Sequence, residues 1–385
     1  MSQVFFERND DCLTFADGVA TGAVTMATDV PLLLARLGVM HPLIVSGGGL
    51  GRSGIVQELE RRSMPYVHFS GFTPNPTAEQ VQAGLVAYRD NACDGILSIG
   101  GGSAIDVAKA IKAMSATDAS LSLLERLTHP VPMDVVHVAM PTTAGTGSES
   151  THFATIYIDG KKYSVADAML LPETVILDAA QLATLPPYER GATFMDALCH
   201  SVESYWSARA TEESRGFAAQ AIRLLVANAE AYLAGDAQAA NAVLVAANFA
   251  GRAINLTTTT AAHAMCYQLT ACYGLSHGHA AAECLPAAWE MLVQASASDA
   301  TLAETMENIA GLLQGKKKAD AASGLAAFIA LRDKAGLTQE WRPGNDDDIA
   351  LLAGSVNVQR LSNFPLALNE ADLAMMYRQI LGCAS

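Results

Sequence analysis

Positive charge is scarce in this chain: 24 lysines and arginines stand against 39 aspartates and glutamates, a net charge of −15. Such a balance disfavours nucleic acid and anionic membrane surfaces as partners. It leaves room for a small anionic substrate, because a local basic pocket can override the global field. No uncharged apolar run reaches the ~18 residues of a transmembrane helix, and the opening MSQVFFERNDDCLTF has early acidic residues and no apolar h-region, so no signal peptide is expected. The 7 cysteines (12, 93, 199, 266, 272, 284 and 383) are odd in number, scattered and without a CxxC pair. That excludes a disulfide framework and a cysteine zinc site and points to the cytoplasm. Charged residues make up only 16% against 51% apolar, so a chain of 385 residues has ample core for two domains.

Short apolar runs and helical patterns alternate over the first 185 residues, as in βαβ units. HPLIVSGGG reads as a strand ending in glycines, GRSGIVQELERR as a helix, PYVHFSGF as a strand, and TAEQVQAGLVAYRDN as a helix capped by Thr77. GILSIGGGSAIDVAKAIKAMS gives strand, glycine loop and helix. DVVHVAMPTTAGTGSES gives a strand and a second small-residue loop, and THFATIYIDGKKYSVAD reads as a hairpin turned at Asp159-Gly160. Pro186-Pro187 marks a change of character. Beyond it lie Ala-rich amphipathic stretches near 188–208, 211–233, 237–257, 280–295, 299–313, 318–335 and 370–382. The expected architecture is an α/β dinucleotide-binding domain with a parallel sheet over 1–185 and an all-helical domain over 186–385.

Two constellations carry chemistry. Asp196 and His200 stand at i, i+4 in GATFMDALCHSVESYWS, one turn apart on one helical face. With His263 and His277 from HAMCYQLTACYGLSHGHA they read as an Asp/His₃ metal site for Fe²⁺ or Zn²⁺ that leaves coordination positions open. A substrate oxygen bound there would be polarised. Glu149 and Glu203 read equally as carboxylates supporting this site or as helix-face charges, and Cys266 and Cys272 as small core residues. The other constellation is a pair of loops. Gly101, Gly102 and Ser103 follow a buried-looking strand and open a helix, a turn whose amides can approach phosphate; a tight βα turn alone would look the same. Asp106 and Lys109 follow, one turn apart, in the pattern of a surface pair. The second loop runs from Pro141 through Thr142, Thr143 and Thr146 to Glu149, beside the first in a doubly wound sheet.

GGGSAIDVAKA, PTTAGTGSE, DALCHSVESYWS and GLSHGHA, in that order, resemble the iron-containing, group III alcohol dehydrogenases over essentially the whole chain. NxxRLSNFPLAL, from Asn357 to Leu368, is similar to the family's closing segment. The resemblance implies a dinucleotide domain, a helical domain, and metal and substrate in the cleft between them. It implies Asp196, His200, His263 and His277 as metal ligands. For the cofactor it implies Gly101, Gly102, Ser103 and Asp106, then Thr142, Thr143 and Thr146, with Asn75, Lys162 and Leu182 nearby. Two departures stand out. A histidine common in relatives four residues after the third ligand is Tyr267 here; if that position relays a proton, either Tyr267 does so by its phenol or solvent and the ribose hydroxyl suffice. NAD-preferring members carry an aspartate where this chain has Gly47 and Gly48 after Val45-Ser46, with Arg52 close by in sequence. The missing carboxylate implies that NADP(H) is accepted alongside NAD(H).

The expected activity is interconversion of a small aldehyde and a primary alcohol, with metal-assisted hydride transfer. His152, Lys161, Lys162 and Tyr163 near the cofactor loop, Tyr267 and His279 near the metal, and Arg360 and Asn363 from the closing segment suggest an anionic tail. His152, Tyr267, His279 and Arg360 are the substrate candidates. HFATIYIDGKKYS together with HAMCYQLT and YGLSHGHA resembles the branch that reduces phosphonoacetaldehyde. Sulfoacetaldehyde, a neutral short-chain aldehyde, or a lyase of the dehydroquinate synthase type are the alternatives. The lyase needs a more basic pocket than this chain offers, and a hydrolase built on the same four residues leaves both loops unexplained. The resemblance also implies a homodimer.

Overall fold

The computed structural model describes residues 4–9, 12–15, 26–48, 50–118, 120–129, 134–338, 345–356 and 361–382. Contacts divide these into two compact units: Met1–Thr143 with Ser148–Ala183, and Ala144–Gly147 with Thr184–Ser385. The expected boundary after residue 185 falls two residues past this division. The four residues of the second loop that join the later unit had no signal in the sequence.

The first unit is a seven-stranded sheet with helices on both faces. In chain order it holds β1 (Val4–Asn9), β2 (Cys12–Phe15), α1 (Met26–Arg36), β3 (Pro42–Ser46), α2 (Ile55–Arg61), β4 (Val67–Phe69) and α3 (Ala78–Asp90). Then come β5 (Gly95–Gly100), α4 (Gly102–Ser115), α5 (Leu123–Thr128), β6 (Val136–Pro141), the hairpin β7 (Phe153–Ile158) and β8 (Lys161–Ala166), and β9 (Thr174–Leu177). Sheet order is β2-β1-β9-β6-β5-β3-β4, and every pairing is parallel except β1 with β2. Strand alternation sorts the core. Leu43, Val45 and Ile96 face α3 and α4, while Ile44, Leu97, Ile99, Val138 and Met140 face α1 and α2. The chain steps from β3 outward to β4 and returns to the other side of β3 as β5. The sheet's switch point therefore lies between the carboxyl ends of β3 and β5, where open α/β sheets bind ligands.

Sequence signals explain most of these elements. Thr77 caps α3 in a reciprocal capping box with Gln80. The β7–β8 hairpin turns at Asp159 and Gly160, both at positive φ, as a two-residue turn between twisted strands requires. β1, β2 and β9 were not anticipated: β2 and β9 are four residues long, and β2 is the sheet's edge strand with β1 beside it.

The second unit is helical throughout its described residues. It holds α6 (Pro187–Trp206), α7 (Glu212–Leu233), α8 (Ala237–Thr257), α9 (Ala261–Tyr273), α10 (His277–Ser296), α11 (Ala300–Leu313), α12 (Ala321–Lys334), α13 (Asp346–Gly354) and α14 (Glu370–Ile380). Pro187 opens α6 at its first helical position, where the missing N–H costs nothing. The sequence pattern missed α9 and α13. No helix among the described residues is long and apolar enough to cross a membrane.

Candidate metal centre and cofactor loops

Three helices of the second unit deliver the site. Asp196, His200 and Glu203 fall at i, i+4 and i+7 along α6, all buried on one face. His263 lies in the first turn of α9 and His277 is the first residue of α10. The approach of α10 depends on Gly278: a Cβ there would sit 2.1 Å from the Ala192 carbonyl oxygen and 2.7 Å from Asp196 Cβ.

Three imidazoles converge on one carboxylate oxygen. From Asp196 Oδ1, Nε2 of His263 is 3.3 Å away, that of His200 3.9 Å and that of His277 4.0 Å. Ligand-capable atoms of Asp196, His263 and His277 all lie within 4.8 Å of one another, and the His200 ring stacks on His263 with centroids 4.4 Å apart. Each ring is held from behind by its other nitrogen. His200 Nδ1 donates to the Gly145 carbonyl at 3.3 Å, His263 Nδ1 to the Glu203 carboxylate, and His277 Nδ1 lies 3.5 Å from Cys266 Sγ. For His200 and His263 the acceptor fixes the tautomer and turns the Nε2 lone pair toward Asp196.

Charge follows the same design. Burial alone would raise the Asp196 carboxyl, but His200, His263 and His277 reverse this and hold it well below the usual carboxylate range. Burial pushes His200 down to about 4, against the pull of Asp196. Burial would depress His263 too, yet the Glu203 and Asp196 carboxylates outweigh it and lift this ring to about 9. Burial also works against the charge of Glu203, and His263 overcomes it and lowers the pKa. A cation held between Asp196 and the three rings would compete with protons for the same atoms. Ligand atoms of a tetrahedral site stand roughly 3.4 Å apart for bonds of ~2.1 Å, and the separations from Asp196 Oδ1 bracket that value. The donor set fits Fe²⁺ or Zn²⁺.

In the first unit the two loops leave adjacent parallel strands. Gly100 pairs with Pro141 at the ends of β5 and β6, and Thr142 N donates to the Gly100 carbonyl at 3.0 Å. Gly101 is the N-cap of α4, and a Cβ on it would meet Thr143 at 3.4 Å. Thr143 Oγ1 is buried with no hydrogen-bond partner among the described residues. Gly47 and Gly48 follow β3 on the other side of the switch point, and a Cβ on either would meet open space. Neither packing nor backbone angle explains these two glycines.

Residues 23–179 match the model of the iron-containing alcohol dehydrogenase family and residues 191–381 that of its C-terminal domain. The chain belongs to the iron-containing alcohol dehydrogenase family. It is 33% identical to 1,3-propanediol dehydrogenase of Klebsiella pneumoniae over 364 residues, 89% of this chain and 92% of that one. Identity to NAD-dependent methanol dehydrogenase of Bacillus methanolicus is 31% over 331 residues, 82% and 83% of the two chains. Among solved structures, sulfoacetaldehyde reductase from Bifidobacterium kashiwanohense in complex with NAD⁺ superposes with a TM-score of 0.83 at 25% identity, covering 93% of this chain and 95% of that one. The protein is therefore an oxidoreductase of the alcohol dehydrogenase and aldehyde reductase type.

Other residues singled out in the sequence take varied places in this family member. Tyr267 stacks on the His277 ring at 5.3 Å and 21°. Asn75 is exposed in the loop between β4 and α3 at φ +59°. Leu182 is buried in a short turn that Asp178 caps. Lys162, half-buried on β8, places its charge near Asp106. Asp106 and Lys109 are no surface pair. Asp106 accepts from Ser148 Oγ at 2.6 Å and Thr155 N at 2.9 Å, and the fully buried Lys109 donates to the carbonyls of Ser148 and Phe153 and to Thr151 Oγ1. Both brace the second loop from inside. His152 is half-buried, edge-on to Phe153. His279 is buried, with Nδ1 3.1 Å from the Tyr188 hydroxyl and Nε2 3.6 Å from Glu283. It lies in the first turn of α10. Arg360 and the Arg52 side chain lie outside the described residues. Glu203 had no settled role in the sequence, yet its i+3 offset from His200 was the signal for it.

Proposed function

We propose that this enzyme reduces a short aldehyde with an anionic tail, phosphonoacetaldehyde or sulfoacetaldehyde in type, to the alcohol, using NAD(P)H and a divalent metal held by Asp196, His200, His263 and His277. The observation that carries the metal reading is the convergence of three imidazole Nε2 atoms on one carboxylate oxygen, with the other nitrogens engaged behind them. When bound, the cation supplies Lewis acidity to the substrate oxygen and the reduced nicotinamide supplies hydride.

The chain's residues do the rest. Asp196 contributes the formal negative charge of the ligand set, and Glu203 keeps the Nδ1 proton of His263 in place. Gly101, Gly102 and Ser103 offer amides at the start of α4 to the cofactor phosphates, and the Thr143 hydroxyl is free to join them. Tyr267, flat against His277, is the proton relay. At the end of β3, Ser46 Oγ pairs with His68 Nε2 at 2.9 Å, and no acidic side chain follows it at Gly47 and Gly48 to repel a 2′-phosphate. This supports the use of NADPH as well as NADH. Support for the anionic tail comes from His152, Lys161 and Lys162 on and beside the β7–β8 hairpin and from the likeness to a sulfoacetaldehyde reductase.

The test is kcat/KM for phosphonoacetaldehyde, sulfoacetaldehyde and butanal with each cofactor, in Fe²⁺-loaded enzyme. A preference of at least tenfold for one of the anionic aldehydes is expected. Equal values for all three would remove the anionic tail and leave a reductase of neutral aldehydes.

A further inference from the structure

One backbone outlier sits where no local sequence feature asks for it. Thr258 joins α8 to α9 with φ +58° and ψ 179°, a region open to glycine and hostile to a β-branched residue. Such a conformation persists only where the surroundings hold it. Thr258 N donates to the Ile254 carbonyl at 2.7 Å and Thr257 Oγ1 lies 2.9 Å from the Thr258 carbonyl; the hold from outside the α8–α9 segment is Asn363, 3% exposed, whose Nδ2 donates to Thr258 Oγ1 and, at 3.4 Å, to the Thr259 carbonyl. Asn363 is itself anchored, because its carbonyl accepts from Ala208 N at 2.8 Å just past the end of α6.

What the turn presents is the start of α9. Thr260 N at 3.1 Å, the Thr260 hydroxyl and Ala262 N at 3.0 Å all donate to Glu203 Oε1. The other oxygen of Glu203 holds His263 Nδ1. No side chain of α9 caps its own N-terminus, so the Glu203 carboxylate does that work and orients a metal-facing histidine at once. The register of both contacts depends on where the Thr258–Thr260 turn leaves the backbone.

We infer that Asn363 is a positioning residue of the metal centre, acting through the strained Thr258 turn on Glu203 and hence on His263. The inference rests on the metal reading given above. It has a specific consequence: Asn363 matters because residue 258 is threonine. A glycine at 258 adopts the same angles without being held, so it makes Asn363 largely dispensable.

The experiment measures Co²⁺ affinity of the metal-stripped full chain by chelator competition, and the visible absorption of the Co²⁺ form. The proteins are the wild type, Asn363→Ala, Thr258→Gly, the double variant and His263→Ala. Asn363→Ala is expected to weaken Co²⁺ binding about tenfold and to alter the Co²⁺ bands, as loss of an outer-shell partner does. Thr258→Gly is expected to stay within about threefold of wild type, and adding Asn363→Ala to it to cost less than about twofold. An Asn363→Ala protein with wild-type affinity and bands overturns the inference, as does an equal loss in both backgrounds. If Asn363→Ala alone does not fold, the double variant decides: a folded protein that binds Co²⁺ supports the inference, and an unfolded one overturns it. A wild type that binds Co²⁺ no better than His263→Ala removes the metal reading and this inference with it.

Discussion

Glu203 shows how much one side chain can be asked to do. It is fully buried, it satisfies two backbone amides at the start of α9, and it sets which nitrogen of His263 carries the proton. Glu203→Gln keeps the shape and weakens the charge, so metal affinity is expected to fall about tenfold with little change in folding. Glu203→Ala additionally strands buried donors, each at a cost of about 1–3 kcal/mol. Chelator competition and urea unfolding on the pair separate the two effects, and an Ala variant as stable as the Gln variant would contradict the capping role. Tyr267→Phe keeps the stack on His277 and removes only the phenol. If the phenol relays the proton, kcat falls by about 100-fold while metal content stays full; an unchanged kcat would reduce Tyr267 to packing. Lys109 gives the pH dependence. Burial pulls its amine from 10.5 down to about 8, against the charges of Asp106 and Glu149. The unfolded chain therefore binds this proton more tightly between pH 8 and 10.5, and stability gains from this group as pH rises through that window, by at most ~1.4 kcal/mol per pH unit. Urea unfolding of wild type and Lys109→Met at pH 7.5, 8.5 and 9.5 tests this: the wild type gains stability relative to the variant across the series, and parallel profiles would refute it.

Among the elements, α10 is placed by the absence of a side chain. Gly278→Ala would press a methyl into the backbone of α6 beside Asp196, so the helix must shift and carry His277 with it. Loss of metal retention together with lowered stability is expected. Gly216 is the counter-case: it is exposed in α7 with nothing near a built Cβ, and Gly216→Ala is expected to stabilise by about 0.5–1 kcal/mol. Thermal unfolding of both variants checks the contrast, and a stable, metal-retaining Gly278→Ala would disprove the close-approach argument. The same contrast explains what was legible beforehand. Asp196, His200 and Glu203 share one helix, so their spacing alone puts them on one face. α6, α7 and α8 are long and amphipathic and announce themselves. α9 does not, because its start is capped by a carboxylate from α6 while the N-cap Thr260 makes no side-chain cap of its own. His263 and His277 were joined to Asp196 on residue type, with the family register added afterwards, since contacts between helices leave no period in the sequence. The Thr258 conformation, held in part by a residue 105 positions away, was unreadable for the same reason. β9 is too short to show alternation, and the Ala144–Gly147 excursion follows from close approaches, Gly145 to Thr193 and Gly147 to Gly251, that only the folded chain reveals.

At the scale of the molecule, the two kinds of site are divided between two compact units. Asp196, His200, His263 and His277 of the candidate metal centre lie within Thr184–Ser385, whereas Gly47, Gly48, Gly101, Gly102, Ser103, Thr142 and Thr143 lie in the first unit. A ligand stabilises what binds it by mass action, about 2.7 kcal/mol at a hundred times its dissociation constant. Chains of more than one unit need not unfold in a single step. Adding Zn²⁺ to chelator-treated protein is therefore expected to slow hydrogen exchange in α6, α9 and α10 by up to about 100-fold, leaving α3 and α4 nearly unchanged. NADPH added without metal is expected to give the complementary pattern, strongest at the start of α4 and after β6. Exchange followed peptide by peptide by mass spectrometry reads both. A uniform slowing of both units by either ligand would mean that the chain opens as one cooperative body, and the division of stability drawn from its contacts would then be wrong. Separate responses would mean that each ligand can be retained or lost without unfolding the unit that holds the other.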